Sequence, residues 1–415
     1  MTAQPLRQAD PAPDAAQAPQ RAFAREPILD ARNAIFGYEL SHAGADPGGS
    51  GDAELLAQAL ELADHRMLAG RRSLFVRCAP ATLATDALTL LDPDRLVLDV
   101  RIPQAIDAAA IQSTAECLAG WRAKGFRLAF PHEVLASAWR AWLPHPAFLK
   151  IDFARLPRQA VPAIVKAARP HASKLIACGI DTAEAHELAV SLGLDLFQGR
   201  WFAQPVLLKQ GNLRPGQATI LQLVGLLRRE AELADIEALL KRDAALTFNL
   251  LRFINSGAFG LAGEVSSFRN AVMMLGLQRL LRWATLLLAT SCAGAPALGH
   301  TAVVRGRLME LLAAELLKPE QCDQAFVVGV FSLLPAMTGT PMERALDGLN
   351  LPEPVNDALL HRRGLFEPFL ALTEACEHAD DEAFGTHCER LLLSGRQVNL
   401  AHLQALAWAE EMLGG

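Results

Sequence analysis

Residues Gly125–Val134 read GFRLAFPHEV, a β-strand over Phe126–Phe130 that runs straight into the first turn of a helix. From about residue 21 to 205 the flanking sequence alternates apolar strands with amphipathic helical patterns, which argues for an α/β barrel or a doubly wound sheet. In such folds chemistry gathers where strands end and helices begin. That position here carries Pro131 and His132, with no adjacent pair of carboxylates.

Working outward, eight apolar runs mark strands at 22–29, 35–40, 74–78, 96–100, 126–130, 148–152, 174–179 and 195–198. Only a short polar turn around Asp30–Asn33 separates the first two. They are expected to pair antiparallel, because parallel strands need a crossover of about a dozen residues or more. The rest read as βα units. Helices are expected over Asp52–Ala69 with Asp52 as cap, over Arg158–Arg169, and over Thr182–Ser191 with Asp181 as cap. A full (β/α)8 barrel takes about 250 residues. This segment is shorter, so some of its helices must be small or missing.

Charged residues interrupt the apolar strands: Glu39 in GYEL, Arg77 in SLFVRCA, Asp99 in RLVLDV, Lys150 and Asp152 in FLKID. Such side chains are expensive to bury unpaired, so they are expected to cluster at the wet C-terminal mouth. Two readings stand side by side there. One is a set of ion pairs, Lys150 with Asp152 and Arg77 with a nearby carboxylate; the other is a catalytic group.

The chain has 415 residues, 51% of them hydrophobic, and a net charge of −6, which gives no electrostatic case for a nucleic acid polymer. Its seven cysteines are scattered, with no C-x-x-C pair; this suits a reducing cytoplasm and argues against a structural zinc. Trp283–Leu298 is the one membrane-like run. It is shorter than the roughly 20 residues a span needs, so a buried core helix and a cytoplasmic protein are expected. Residues 1–20 are rich in Ala, Pro and Gln and read as a disordered tail.

Lys209–Gln217, KQGNLRPGQ, is the natural linker between residues 21–208 and 218–415. Beyond it strand signals vanish and helical patterns follow one another, among them Ala218–Glu230, Asp235–Arg242, Ala245–Asn255, Leu277–Ala293, His300–Leu317 and Ala325–Met337. Asp235 is placed to open one helix. Asn255-Ser256-Gly257 closes another, with glycine available for the left-handed position.

The order and wording of the first half resemble the EAL family, the cyclic di-GMP phosphodiesterase fold. REPILDARNAIFGYEL is similar to the family's opening, GFRLAF to the strand before its Asp-Asp motif, LKID to its K-I-D strand, LIACGIDT to A-E-G-V-E-T, and LFQGRWFAQP to the closing Q-G-Y-x-F-x-x-P. The resemblance implies a TIM-like barrel whose active members hold two divalent metals with carboxylates and an Asn. Carried over by position, Glu39 keeps the first Glu, Lys150, Asp152 and Gln198 are retained, and Asp99 and Asp181 stand for glutamates. Arg77 replaces the ligand Asn, Pro131 and His132 replace both aspartates, and Cys178 replaces a later Glu. The opening Gln and the arginine after the E-A-L motif are absent. A guanidinium about 4 Å from a divalent ion is repelled by roughly 8 kcal/mol at an effective dielectric near 20. The expectation is therefore a barrel without metal and without catalysis, Glu39, Arg77, Asp99, Lys150, Asp152, Asp181 and Gln198 forming a vestigial ligand site. His132 is expected as a solvated histidine at a helix start, and Cys178 as a small buried residue.

LLKRDAALTFNLLRFINSGAFG with VSSFRNAVMMLGLQRLLRWATL strongly resembles the HDOD domain, a helical relative of HD phosphohydrolases. Those enzymes bind metal through a first His, a His-Asp doublet and a later Asp. The aligned doublet here is Ser332-Leu333, and His300, at the first-histidine position, has no evident partner in the sequence. Taken together, the resemblances imply a non-catalytic signalling adaptor: a shortened TIM-like EAL barrel followed by an all-helical HDOD domain, with no cofactor. Its expected partners are other signalling proteins, with cyclic di-GMP and a second copy of the chain as further candidates. Asn255 and Ser256, at a helix end, are candidate contact residues as well as caps. The rival readings are a cyclic di-GMP sensor and a residual phosphodiesterase.

Overall fold

The computed structural model describes residues 23–42, 72–80, 82–84, 88, 93–94, 96–103, 107–203, 215–241, 268–291, 296–378 and 380–413. The expected tail over 1–20, the helices over Asp52–Ala69 and Ala245–Asn255, residues 209–214 of the linker, and Asn255 and Ser256 lie outside the described residues.

Eight strands close a barrel in sequence order: β1 (Phe23–Asp30), β2 (Ile35–His42), β3 (Ser73–Cys78), β4 (Leu96–Val100), β5 (Arg127–Pro131), β6 (Phe148–Asp152), β7 (Lys174–Cys178) and β8 (Leu196–Gln198). As expected from the short turn, β1 runs antiparallel to β2; closure makes it antiparallel to β8 as well, and every other pair is parallel. Helices α1 (Ala108–Ala123), α2 (Val161–Ala168) and α3 (Ala183–Ser191) cover part of the outside. Period two sends Ile28, Phe75, Val97, Ala129, Phe148, Ile176 and Leu196 into a core inside the barrel. The intervening residues face outward into a second, larger core shared with the helical region.

Three local expectations are corrected. No α-helix follows β5: His132–Leu135 and Ser137–Trp139 coil as separate 3-10 turns, divided by Ala136 in extended backbone (ψ 147°). Thr182, not Asp181, caps α3, its hydroxyl accepting from Ala185 N at 3.2 Å, because Asp181 is turned toward Arg200. Asp235 does not open its helix but sits in the first turn, where its charge still suits the helix dipole.

The helical region contains α4 (Pro215–Arg228), α5 (Leu233–Lys241), α6 (Phe268–Thr290), α7 (Pro296–Ala314), α8 (Pro319–Phe331), α9 (Leu334–Thr338), α10 (Met342–Ala345), α11 (Glu353–His361), α12 (Glu367–His378), α13 (Asp381–Leu391) and α14 (Gly395–Leu413). The central pair, α7 and α8, cross in backbone contact: a Cβ placed on Gly329 would lie 2.6 Å from the Gly306 Cα, so neither position tolerates a side chain. Among the described residues no helix is long and apolar enough to cross a membrane.

The barrel's β1–β2 side packs on this region. Tyr38 points out of β2 and its hydroxyl meets His300 Nε2 (3.1 Å) and Glu410, while Arg72 reaches Glu410 Oε2 at 3.0 Å. His300 Nε2 is 3.0 Å from Glu410 Oε1, so the histidine that lacked a partner in the sequence is held in a buried joint between the barrel and the helices. Burial would raise the Glu410 carboxyl, but the hydrogen bond and charge of His300, then Tyr38 and Arg72, bring it down to about 2.

Candidate functional site: the barrel mouth

The mouth is built by register. Barrel interiors fill in layers of four side chains drawn from alternate strands. Gly37, Val97, Phe148 and Leu196 come from even strands; two residues further along the same strands stand Glu39, Asp99, Lys150 and Gln198. All four of the latter are buried. The odd strands supply the next layer, Glu26, Arg77, Pro131 and Cys178, seen from the pairs Glu26↔Glu39, Arg77↔Asp99, Pro131↔Lys150 and Asp152↔Cys178. Positions scattered over 172 residues of sequence thus share one small volume. Glycine at 199 lets β8 end there: a Cβ on Gly199 would sit 2.1 Å from the Ile180 carbonyl oxygen, at φ 147°.

Lys150 is the centre of this cluster. Its Nζ donates to Glu39 Oε2 (2.6 Å) and Asp99 Oδ2 (2.8 Å). Arg77 takes the other Glu39 oxygen at 2.5 Å, and the Gln198 amide donates to both Glu39 (2.5 Å) and Glu26 (2.6 Å). Burial alone would raise the Glu39 carboxyl, but Lys150 and then Arg77 hold it well below the usual carboxylate range. Burial alone would likewise lower the Lys150 ammonium, yet Asp99 and Glu39 raise it. Both members are therefore charged and locked together at any ordinary pH.

The pairing corrects one expectation. Lys150 does not pair with Asp152. The Asp152 carboxylate turns to its own loop, accepting from Ala154 N (3.0 Å) and pairing with Arg155 (3.3 Å). Arg77 does find a carboxylate, Glu39. Asp181 sits at the rim with Arg200 at 3.2 Å, half-exposed, and belongs to a separate pair. His132 is not at a solvated helix start: it opens a 3-10 turn with only 13% of its side chain exposed, 3.2 Å from Glu133. Cys178 lies 3.4 Å from Gln198 Oε1; burial pushes its thiol up, which leaves it a poor nucleophile.

Glu26 is the member that the sequence did not single out. Burial, and after it the neighbouring Glu39, pushes its carboxyl up to about 7. The signal was present, since Glu26 precedes Ile28 by one strand period and Ile28 pairs with Gln198. Among the described residues no group of three or more His, Cys, Asp or Glu is arranged to hold a metal.

The helical region has a comparable ionic cluster. Arg305 of α7 is bidentate to Glu377 (2.9 and 2.6 Å), lies 3.5 Å from Glu374, and donates to Ser332 Oγ at 2.7 Å. The helical pattern over Ala325–Met337 is divided: Ser332 caps the C-terminal end of α8 and α9 starts at Leu334.

Comparison with known proteins follows the same division. Residues 217–334 match the HDOD domain. The chain is 26% identical over 410 residues to the cyclic di-GMP phosphodiesterase CdgJ of Vibrio cholerae, covering 94% of this chain and 92% of that protein. It is 23% identical over 417 residues to the uncharacterized protein YuxH of Bacillus subtilis, covering 94% and 98%. Solved structures similar to it include the PaMucR phosphodiesterase in complex with c-di-GMP (20% identity, TM-score 0.35, 43% of this chain and 94% of that one). A standalone EAL protein from Vibrio cholerae O395 in its c-di-GMP-bound form is another (18% identity, TM-score 0.36, 44% and 91%). A closed eight-stranded barrel is thus followed by a helical region that carries the HDOD match, in a chain similar over most of its length to a cyclic di-GMP phosphodiesterase.

Proposed function

We propose that the protein is a non-catalytic adaptor of cyclic di-GMP signalling that acts by protein–protein contact. The observation that carries this reading is Lys150 seated between Glu39 and Asp99 with Arg77 on the remaining Glu39 oxygen. Two-metal hydrolysis needs several anionic oxygens free to converge on cations. Here the buried carboxylates are already neutralised by an ammonium and a guanidinium, and Pro131, His132 and Cys178 stand where the family resemblance expects further carboxylates. These residues do not fit a pair of divalent ions. What remains is a rigid barrel fixed to a helical domain through Tyr38, His300, Glu410 and Arg72, a platform whose helix faces suit docking.

A second reading, binding of cyclic di-GMP without hydrolysis, draws on Arg77 and Arg200, whose side chains are 38% and 52% exposed at the rim and have room to meet phosphates. Incubation of the full chain with cyclic di-GMP and manganese separates the readings. The adaptor reading expects intact dinucleotide; linear product at ordinary enzymatic rates overturns it. Calorimetric titration in the same buffer without turnover, saturable and lost in Arg77→Ala, selects the binding reading instead.

A further inference from the structure

Away from the mouth, the helical domain holds a cleft of about 80 Å³ between the end of α4, α6, the first turns of α8 and the segment entering α11. Its polar lining is unusual. Arg228 makes no ion pair among the described residues, and its Nε is buried with no acceptor, a destabilising arrangement for a charged donor. Arg282, across the cleft, is fully engaged: it is bidentate to Glu310 and stacks on Phe326 and Trp408. Two carboxylates line the same space with little to bind. Glu320 is exposed, and Asp323 has only a 3.9 Å approach to Arg282. The floor is apolar, with Leu281 and Val327 buried.

The ligand that answers this lining must satisfy both signs. A simple anion would meet Arg228 but face Glu320 and Asp323. A simple cation would meet the acids and leave Arg228 bare. Volume sets the second limit, since the cleft accepts only a few heavy atoms and no dinucleotide. We propose that the cleft binds a small zwitterion of the α-amino acid class, its carboxylate on Arg228, its ammonium on Asp323 and Glu320, and its side chain against Leu281 and Val327. The site is separate from the barrel mouth and stands whether or not the adaptor reading holds.

Calorimetric titration of the full chain with glycine, L-alanine, L-valine, L-serine and L-leucine, each to millimolar concentration, tests it. At least one is expected to bind saturably, with affinity lowered at least about tenfold in Arg228→Met and also lowered in Asp323→Asn. Without ligand, Arg228→Met is expected to melt at or above the parent temperature, because it removes a half-buried cation whose Nε has no acceptor. That result would show that lost binding is not lost folding. No saturable binding of any of the five, or equal binding by Arg228→Met, overturns the proposal.

Discussion

The barrel mouth and the Arg305 cluster solve one problem in two settings. Each seats a protein cation among carboxylates, close to positions where the family resemblances expect metal ligands. In the mouth the Lys150, Glu39 and Asp99 side chains are 11%, 2% and 7% exposed. In the helical domain Arg305 is 8% exposed, but Glu377 and Glu374 reach 19% and 23%. Water on the acid side of the second cluster screens it and lowers the cost of breaking it. The mouth has no such relief. A point-charge ammonium shared by acids from two strands ties β6 to β2 and β4 across the barrel mouth, whereas a planar guanidinium, bidentate to one glutamate, joins α7 to α12.

The contrast is sharpest under mutation. Lys150→Met leaves Asp99 buried without its cation and Glu39 with Arg77 and Gln198 alone, and is expected to cost about 3–5 kcal/mol at pH 7 in urea unfolding. A loss below about 1 kcal/mol would mean that water enters the mouth and the two sites are alike.

The joint between domains should contribute to the acid limit beside the lowered Glu39 of the mouth. Glu410 is held near 2 in the folded protein against 4.5 for an ordinary glutamate. A lowered carboxylate pKa contributes stability that is present above pH 4.5 and lost as pH falls toward 2. The contribution is at most about 3 kcal/mol. Glu410→Gln should flatten this limb of the stability–pH curve; an unchanged acid limb would remove Glu410 from the joint.

Arg305→Met comes next, expected to lose about 2 kcal/mol by the same unfolding measurement, since its glutamates can rehydrate. A loss equal to that of Lys150→Met would erase the distinction between the sites.

Glu26 works in the opposite sense. Its carboxyl is raised from 4.5 to about 7, so it favours the fold below pH 4.5 and that contribution disappears as pH rises to 7. The expected decline is about 1–2 kcal/mol, because the Glu26 side chain, unlike the Lys150 group, keeps partial contact with water. Glu26→Gln should abolish the decline, and a variant that still weakens over this range would place the titration elsewhere.

The strands were legible because apolar runs bounded by turn residues leave little freedom, and the β1–β2 hairpin followed from its short connection alone. The missing helix after β5 was not, because HEVL and SAW look helical until Ala136 takes extended backbone between them. At the mouth, Glu39, Asp99, Lys150 and Gln198 were each readable from period two. Their partners were not. Lys150 was matched with Asp152 because the two are close in sequence, but strand register places residues of alternate strands in one layer and sends Asp152 to its loop. His300 could find Tyr38 only across 262 residues, a distance over which no local pattern carries information.

The most direct test of the mouth as a site closed to metal is a manganese titration of the purified chain at neutral pH, followed by the loss of the free-ion paramagnetic resonance signal. No binding tighter than millimolar is expected, and Glu39→Gln should leave the titration unchanged. Two ions per chain at micromolar concentration, abolished by Glu39→Gln, would contradict the account and restore a hydrolase.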